Sequence, residues 1–264
     1  MGVTAALSAH GLAVGYPGRR VIEGLDVEIV PGQLTVIVGP NACGKSTLLR
    51  TMARMLNPEQ GEVRLHGTPV TSMGSRQVAR QLAVLPQSPS APDGMVVRDL
   101  VARGRYPHQR LLKPWSRDDD AAVEAAMRAT DVVALADADV NELSGGQRQR
   151  VWLAMALAQE TEVLLLDEPT SFLDIAHQIE VLDLGRALQR QGRTVVMVLH
   201  ELHLAFRYAD QLVVMKGGRI MAQGSPGEVV TAELIEEVYD LPCRIIADPE
   251  TGSPMVIPLA GRGR

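Results

Sequence analysis

Positive charge is in short supply in this chain. Twenty-six Lys and Arg against 31 Asp and Glu leave a formal charge of −5. That gives no broad positive field and argues against nucleic acid as the main partner. Only two cysteines occur, Cys43 and Cys243, far apart in sequence, so neither a disulfide framework nor a cysteine metal motif is available. No apolar run reaches the roughly 18 residues that a membrane helix needs. Residues 1–18 hold no Lys or Arg, which removes the basic start of a signal peptide, and Ala6 stands where a myristoylation motif wants Ser or Thr. The expectation is a cytosolic protein that meets a membrane only through a partner. Hydrophobic residues, at 46%, are ample for a core, and 264 residues suit one large domain or a domain with a sizeable insertion.

What the chain does have is Gly39-Pro40-Asn41-Ala42-Cys43-Gly44-Lys45-Ser46-Thr47, which fits G-x-x-x-x-G-K-[ST]. Before it, Leu34 to Val38 is a short apolar, partly β-branched run that reads as a buried strand; after it, residues 47–56 carry apolar side chains at helical spacing. In a strand–loop–helix of this kind the loop N–H groups and the positive helix end face phosphates. Lys45 then pairs with the β- and γ-phosphates, and Ser46 ligates Mg²⁺. The stretch predicts a nucleotide site. Cys43 lies inside it, where the helix dipole and Lys45 favour a thiolate. Alkylation at Cys43 is expected to block the site and nucleotide to protect it; the alternative is simply a small residue that the loop tolerates.

Residues 5–30 read as two strands around the turn at Tyr16-Pro17-Gly18. Tyr16 is one of few aromatics in a chain only 3% aromatic, and it is either a ring that stacks on adenine or an exposed turn tyrosine. A strand is expected over 61–67, a short helix over 76–80 and a buried strand over 82–85, closed by Pro86-Gln87. The Pro- and Ser-rich stretch 88–94 marks a subdomain boundary. From Val96 to Glu160 helices are expected without strands, over 96–103, 117–129 and 146–159, with Ser116 capping the second. Arg103, Arg105 and Arg110 make a basic segment that is either an interaction surface or a solvated charged face.

Leu143-Ser144-Gly145-Gly146-Gln147 opens the third of these helices with Ser144 as a cap. It is a second anion-binding helix start, without a lysine, although spacing alone fits an ordinary capped helix. Glu162 to Thr170 follows, a buried strand with Asp167 and Glu168 at its C-terminal end, where ligands bind in open α/β sheets. Adjacent strand residues point to opposite faces, so Asp167 suits the Mg²⁺ shell through water while Glu168 polarises an attacking water. Ser171 to Asp174 leads into an amphipathic helix, Ile175 to Arg190. The strand 194–199 ends in His200, placed to hydrogen-bond a γ-phosphate oxygen or the attacking water. His177 and His203 read as surface residues. A hairpin over 211–222, a helical tail over 226–239 and an irregular or weakly stranded end, 243–258, complete the chain.

Taken together these residues resemble the ATP-binding subunit of ABC transporters over nearly the whole chain. Gly39–Thr47 is similar to Walker A, Gln87 to the Q-loop glutamine, Leu143–Gln147 to the LSGGQ signature and Val163–Glu168 to Walker B. Ser171–Asp174 resembles the D-loop, His200 the switch histidine and Tyr16 the adenine-stacking aromatic. Ala42 departs from the common glycine, which matters if that position needs positive φ, and Phe172 from a common alanine. The resemblance implies an α/β fold: a RecA-like P-loop NTPase core with an antiparallel β subdomain and an inserted α-helical subdomain. The core is expected over 1–88 and 162–232, the helical subdomain over 89–161 and a tail over 233–264.

It further implies ATP and Mg²⁺ as ligands, with Glu168 and His200 catalytic and Ser46, Gln87 and Asp167 at the metal. Nucleotide contacts fall to Tyr16, Gly39 through Thr47, Gln87, Ser144, Gly145, Gly146, Gln147 and Asp174. The family works as head-to-tail pairs, the signature of one subunit closing over the γ-phosphate at Lys45 of the other. A homodimer is therefore expected, peripheral on the cytoplasmic face of the membrane, bound to permease subunits and served indirectly by a substrate-binding protein. Val101–His108, Trp152–Gln159 and the tail are most similar to ferric-siderophore importer ATPases, with cobalamin and haem importers as the alternative. Glu201 and His203 depart from the Asp and Asn frequent in that group. A soluble, non-transport ABC ATPase ranks lower, because the chain has one phosphate loop and no sustained heptads.

Overall fold

The computed structural model describes residues 4–109 and 115–259; Arg110 of the basic segment lies outside them. In chain order the elements are β1 (Leu7–Tyr16), β2 (Arg19–Ile29), β3 (Leu34–Val38), α1 (Lys45–Met52), β4 (Gln60–Leu65), β5 (Thr68–Pro69), α2 (Ser75–Ala79) and β6 (Leu82–Leu85). There follow α3 (Val97–Ala102), α4 (Arg117–Ala129), α5 (Gly145–Ala158), β7 (Val163–Asp167), α6 (Ile175–Arg190) and β8 (Thr194–Val198). The rest is α7 (Leu202–Tyr208), β9 (Gln211–Lys216), β10 (Arg219–Gly224), α8 (Pro226–Val229), α9 (Ala232–Tyr239), β11 (Cys243–Ala247) and β12 (Pro254–Pro258). Two compact units result, Met1–Val70 with Val196–Arg264, and Thr71–Val195.

In the first unit β2, β1, β4 and β5 form an antiparallel sheet in that order. Tyr16 pairs with Arg19, so Pro17-Gly18 makes the turn, with Gly18 at φ 79°. β3 pairs in parallel with β9, Thr35 opposite Gln211 and Val38 opposite Val214, and β9 turns back into antiparallel β10. All five residues of β3 are buried, which is why this strand reads as a continuous apolar run rather than an alternation. Each fully buried Val, Leu or Ile there contributes about 1.5–3 kcal/mol. α1 packs on β1 and β2, and α7 on β3. The end of the chain is more regular than expected: β11 and β12 pair from Cys243 opposite Pro258 to Ala247 opposite Pro254. Proline bounds β12 at both ends, where a missing N–H is tolerated, and that composition hides the strand from a propensity reading.

In the second unit β6 pairs in parallel with β7, Leu82 opposite Val163 and Leu85 opposite Leu166. α3, α4 and α5 pack on one another between these strands in sequence. Ser116 caps α4 as expected, its Oγ accepting the Asp119 N–H at 3.3 Å while Asp119 Oδ2 accepts the Ser116 N–H at 3.1 Å. The basic segment needs a correction. Arg98 and Arg103 are exposed, but Arg105 is only 6% exposed. Its Nε donates to Asp119 Oδ1 at 2.9 Å, and its Nη1 to the Ala158 carbonyl at 2.8 Å and Glu160 Oε2 at 2.6 Å. Gly104 brings the segment down: a Cβ there would lie 2.3 Å from the Met155 carbonyl oxygen. Arg105 thus belongs to the packing of α5, and neither solvent nor a partner is its main contact. The fold is α/β with parallel pairing, a separate antiparallel sheet and an inserted helical segment. No helix among the described residues is long and apolar enough to cross a membrane.

Candidate nucleotide site

The first unit carries the phosphate loop. β3 ends at Val38 and α1 starts at Lys45, so residues 39–44 reverse the chain in six steps. Gly39 has φ 154°, and a Cβ there would stand 2.2 Å from the Met215 carbonyl oxygen. Only glycine fits. Gly44, at φ 107°, caps α1 without a side chain, and no acid occupies the first turn, so the helix presents its N–H groups and positive end uncontested. Lys45 is 5% exposed, and its Nζ donates to the carbonyls of Gly39 at 2.7 Å and Pro40 at 3.1 Å. A buried ammonium gathered over this loop is a ready counter-charge for phosphate oxygens, which would replace the two carbonyls as its acceptors.

Ala42 does stand in the left-handed region, at φ 59°, a conformation that costs an L-residue about 1–2 kcal/mol. Asn41 is exposed beside it, Ser46 is half-buried and Thr47 buried. Cys43 corrects the thiolate expectation. It is 4% exposed, and burial pushes its thiol up, outweighing the opposing pull of Lys45. The thiol is covered, and the environment of the loop does not favour its thiolate. Tyr16, at the end of β1, is exposed, and Arg50 of α1 donates to its hydroxyl at 3.5 Å. That contact places the Tyr16 hydroxyl beside the last turn of α1. His200 is exposed two residues after β8, His203 is exposed on α7, and Cys243 is buried as expected.

The second unit carries the acids. Every residue of β7 is buried, and Asp167 at its end is 0% exposed. Glu168 lies beyond the strand in a left-handed conformation, φ 54°. The two acids therefore separate through a turn, and the strand alternation invoked from sequence does not describe them. Ser171 Oγ donates to Glu168 Oε2 at 3.1 Å, and Gln149 Nε2 to the Glu168 carbonyl at 3.3 Å. Gln149 escaped the sequence reading; its signal is a glutamine among the buried positions of α5, where an amide needs a partner. Gln87 is half-buried two residues past β6.

Ser144 and Gln147 form a capping box at the start of α5: Ser144 Oγ accepts the Gln147 N–H at 3.3 Å and Gln147 Oε1 the Ser144 N–H at 3.1 Å. A cavity of about 360 Å³ opens there, lined by Ser144, Gly146, Gln147, Arg150, Asp174 and His177 among others. Signature and D-loop residues thus share one pocket. A Cβ on Gly146 would come within 3.1 Å of Leu173 Cδ2, so the bare glycine keeps that approach open. Asp174 caps α6, its Oδ1 accepting the His177 N–H at 3.0 Å and facing His177 Nδ1 at 2.7 Å. Those bonds hold its carboxyl below the ordinary aspartate range. His177 is therefore engaged by Asp174 and is not a plain surface residue.

Tyr16, the phosphate loop and His200 lie in the first unit; Gln87, Asp167, Glu168, residues 144–147 and Asp174 lie in the second. Ser46, Gln87 and Asp167 offer hydroxyl, amide and carboxylate oxygens, hard donors that suit Mg²⁺. Among the described residues no three His, Cys, Asp or Glu gather as a metal cluster.

The profile of the family described as ABC transporter matches residues 22–171, more than half of the chain. The ferric enterobactin transport ATP-binding protein FepC of Escherichia coli (strain K12) is 52% identical over 256 residues, covering 97% of this chain and 94% of FepC. The achromobactin transport ATP-binding protein CbrD of Dickeya dadantii (strain 3937) is 50% identical over 254 residues, covering 96% of this chain and 94% of CbrD. A solved inward-facing ABC transporter assigned to the metal-chelate type matches with a TM-score of 0.81 at 28% identity, over 97% of this chain and 98% of that one. With a phosphate loop, a buried strand-end aspartate and a glycine-opened helix start already in place, these likenesses decide the family: the chain belongs to the ATP-binding subunits of ABC transporters, ATPases whose hydrolysis is coupled to transport.

Proposed function

We propose that this subunit energises import of a ferric siderophore through a separate membrane permease. The observation that carries the cargo class is that FepC and CbrD, named for siderophore transport, are 52% and 50% identical over 97% and 96% of this chain. In the proposed cycle the N–H groups of residues 39–47 and the Lys45 ammonium hold the phosphates, and Tyr16 stacks on adenine. Ser46, Gln87 and Asp167 would hold Mg²⁺, which supplies neutralisation of phosphate charge. Glu168, steadied by Ser171 and Gln149, accepts a proton from the attacking water, and His200 hydrogen-bonds the γ-phosphate or that water. Two copies pair head to tail, so that Ser144, Gly145, Gly146, Gln147 and Asp174 of one meet the nucleotide on the other. Nucleotide favours the paired state because only there do both faces contact it. Gln87 relays that closure to the permease, which places the subunit peripherally on the cytoplasmic face.

Uptake of radioiron-labelled siderophore by cells carrying Lys45→Ala in place of the wild-type chain tests the reading. Loss of siderophore uptake with haem uptake intact is expected. Haem is the second reading, favoured by a hemin import ATP-binding protein, HmuV of Streptomyces coelicolor, at 44% identity over 95% of this chain. Loss of haem or cobalamin uptake alone would move the cargo to that class. Intact uptake of all three would overturn the import reading.

A further inference from the structure

The helix that opens at Ser144 touches the turn that carries Glu168. Gln149 lies four residues after Gly145 and three after Gly146, so the three share one face of α5. That face rests on residues 168–173. A Cβ on Gly145 would come within 3.3 Å of Phe172 Cβ, and one on Gly146 within 3.1 Å of Leu173 Cδ2 and 3.4 Å of the Phe172 carbonyl oxygen. One helical turn further along, Gln149 is 5% exposed, and its Nε2 donates to the Glu168 carbonyl at 3.3 Å. The same carbonyl accepts the Ser171 N–H at 3.2 Å, which closes a turn over residues 168–171. Within this segment Glu168 stands at φ 54° and Phe172 at φ 65°, conformations that such residues keep only where their surroundings hold them. Gly145 and Gly146 also line the signature cavity beside Ser144 and Gln147. Ligand side and base side thus meet on the first turns of one helix, all within the second unit.

We propose that Gln149 is a positioning residue that couples the signature to Glu168 of the same subunit. The inference rests on the paired ATPase reading above and deepens it. In the pair, residues 144–147 meet the nucleotide bound to the other copy, while Glu168 serves the nucleotide bound to its own. The capping box of Ser144 and Gln147 keeps the first turn of α5 helical, so a nucleotide that fixes this turn also fixes the Gln149 amide one turn on. The amide holds the Glu168 carbonyl, and with it the backbone conformation that aims the carboxylate. Each site is then made ready by the nucleotide on the other. The effect falls on proton removal from the attacking water and not on phosphate affinity. An apolar side chain at position 149 would fill the space and offer the carbonyl nothing. Coupling of this kind is a free energy shared between two sites, and a double-mutant cycle measures it.

The test is Gln149→Met, which keeps an unbranched side chain and removes the amide, set in a cycle with Ser144→Ala on the full chain. ATPase kinetics, equilibrium binding of a fluorescent ATP analogue and thermal unfolding are measured for wild type, the two single variants and the double. Gln149→Met is expected to lower kcat about three- to tenfold, the range for one neutral hydrogen bond, with KM, dissociation constant and melting temperature little changed. The loss in the double variant is expected to fall short of the product of the two single losses by about twofold or more, because part of each acts through the same contact. If Gln149→Met fails to fold, Gln149→Glu carries the test: it keeps the size, replaces the donor with an acceptor, and is expected to lower kcat in the same direction. Single losses that multiply in the double variant would overturn the proposal. So would a lowered melting temperature with kcat unchanged, which would reduce Gln149 to packing. A wild-type chain that did not hydrolyse ATP would instead sink the reading on which the proposal rests, so the two failures are distinct.

Discussion

Arg105 and Asp119 form a buried ion pair, Nε to Oδ1 at 2.9 Å, with side chains 7% and 9% exposed. It ties the segment after α3 to the first turn of α4, and the Ala158 carbonyl and Glu160 complete the donor set of the guanidinium. A buried pair is weak evidence of net stabilisation, but removing one member strands the other. Arg105→Met is expected to destabilise the chain by about 3–5 kcal/mol, read as a lowered midpoint in guanidinium unfolding. Exposed Arg103→Met, on the same segment, is expected to change it by less than about 0.5 kcal/mol.

The same pair sets a pH dependence. Burial alone would raise the Asp119 carboxyl, but the bonds from Ser116 and Arg105 outweigh it and the group lies below the ordinary aspartate range. At acid pH the unfolded chain therefore binds a proton that the folded chain does not. The stabilisation is complete above the ordinary aspartate value and is lost as pH falls from there through the folded value. Unfolding midpoints measured from neutral to acid pH should show this loss in the wild type and a smaller one in Arg105→Met.

Ala42 holds a conformation that glycine adopts freely. Ala42→Gly is expected to stabilise the folded chain by about 1 kcal/mol and to raise its melting temperature by a few degrees, measured without nucleotide. An unchanged melting temperature would mean that the loop relaxes elsewhere to suit alanine.

Ser171 orients the Glu168 carboxylate through its hydroxyl at 3.1 Å. Ser171→Ala is expected to lower kcat about three- to tenfold and to leave ATP affinity unchanged, because the lost bond acts on the proposed base and not on the phosphates. Steady-state kinetics beside equilibrium nucleotide binding separate the two effects.

Much of this was legible in the chain because local and tertiary requirements coincide. Leu82–Leu85, Arg117–Ala129 and Ile175–Arg190 match the expected bounds, since each has a sharp edge: a following proline, a serine cap, an aspartate cap. The phosphate loop was legible for the same reason, its glycines answering a steric demand that no other residue meets. The misses depend on distant contacts. Arg105 looks like one more surface cation until Asp119 and Glu160, 14 and 55 residues on, close over it. Cys43 looks activated by Lys45 until the burial around it is known. Glu168 looks like a strand residue until its φ is seen to be positive.

The most direct test of the central claim is ATP turnover by Glu168→Gln, measured together with its sedimentation in the presence of ATP and Mg²⁺. Loss of the carboxylate with the phosphate loop intact predicts bound ATP, turnover reduced at least about 100-fold, and a stable two-copy species that wild type forms only transiently. Turnover near the wild-type rate in that variant would contradict the account, since the proton would then be leaving the attacking water by another route.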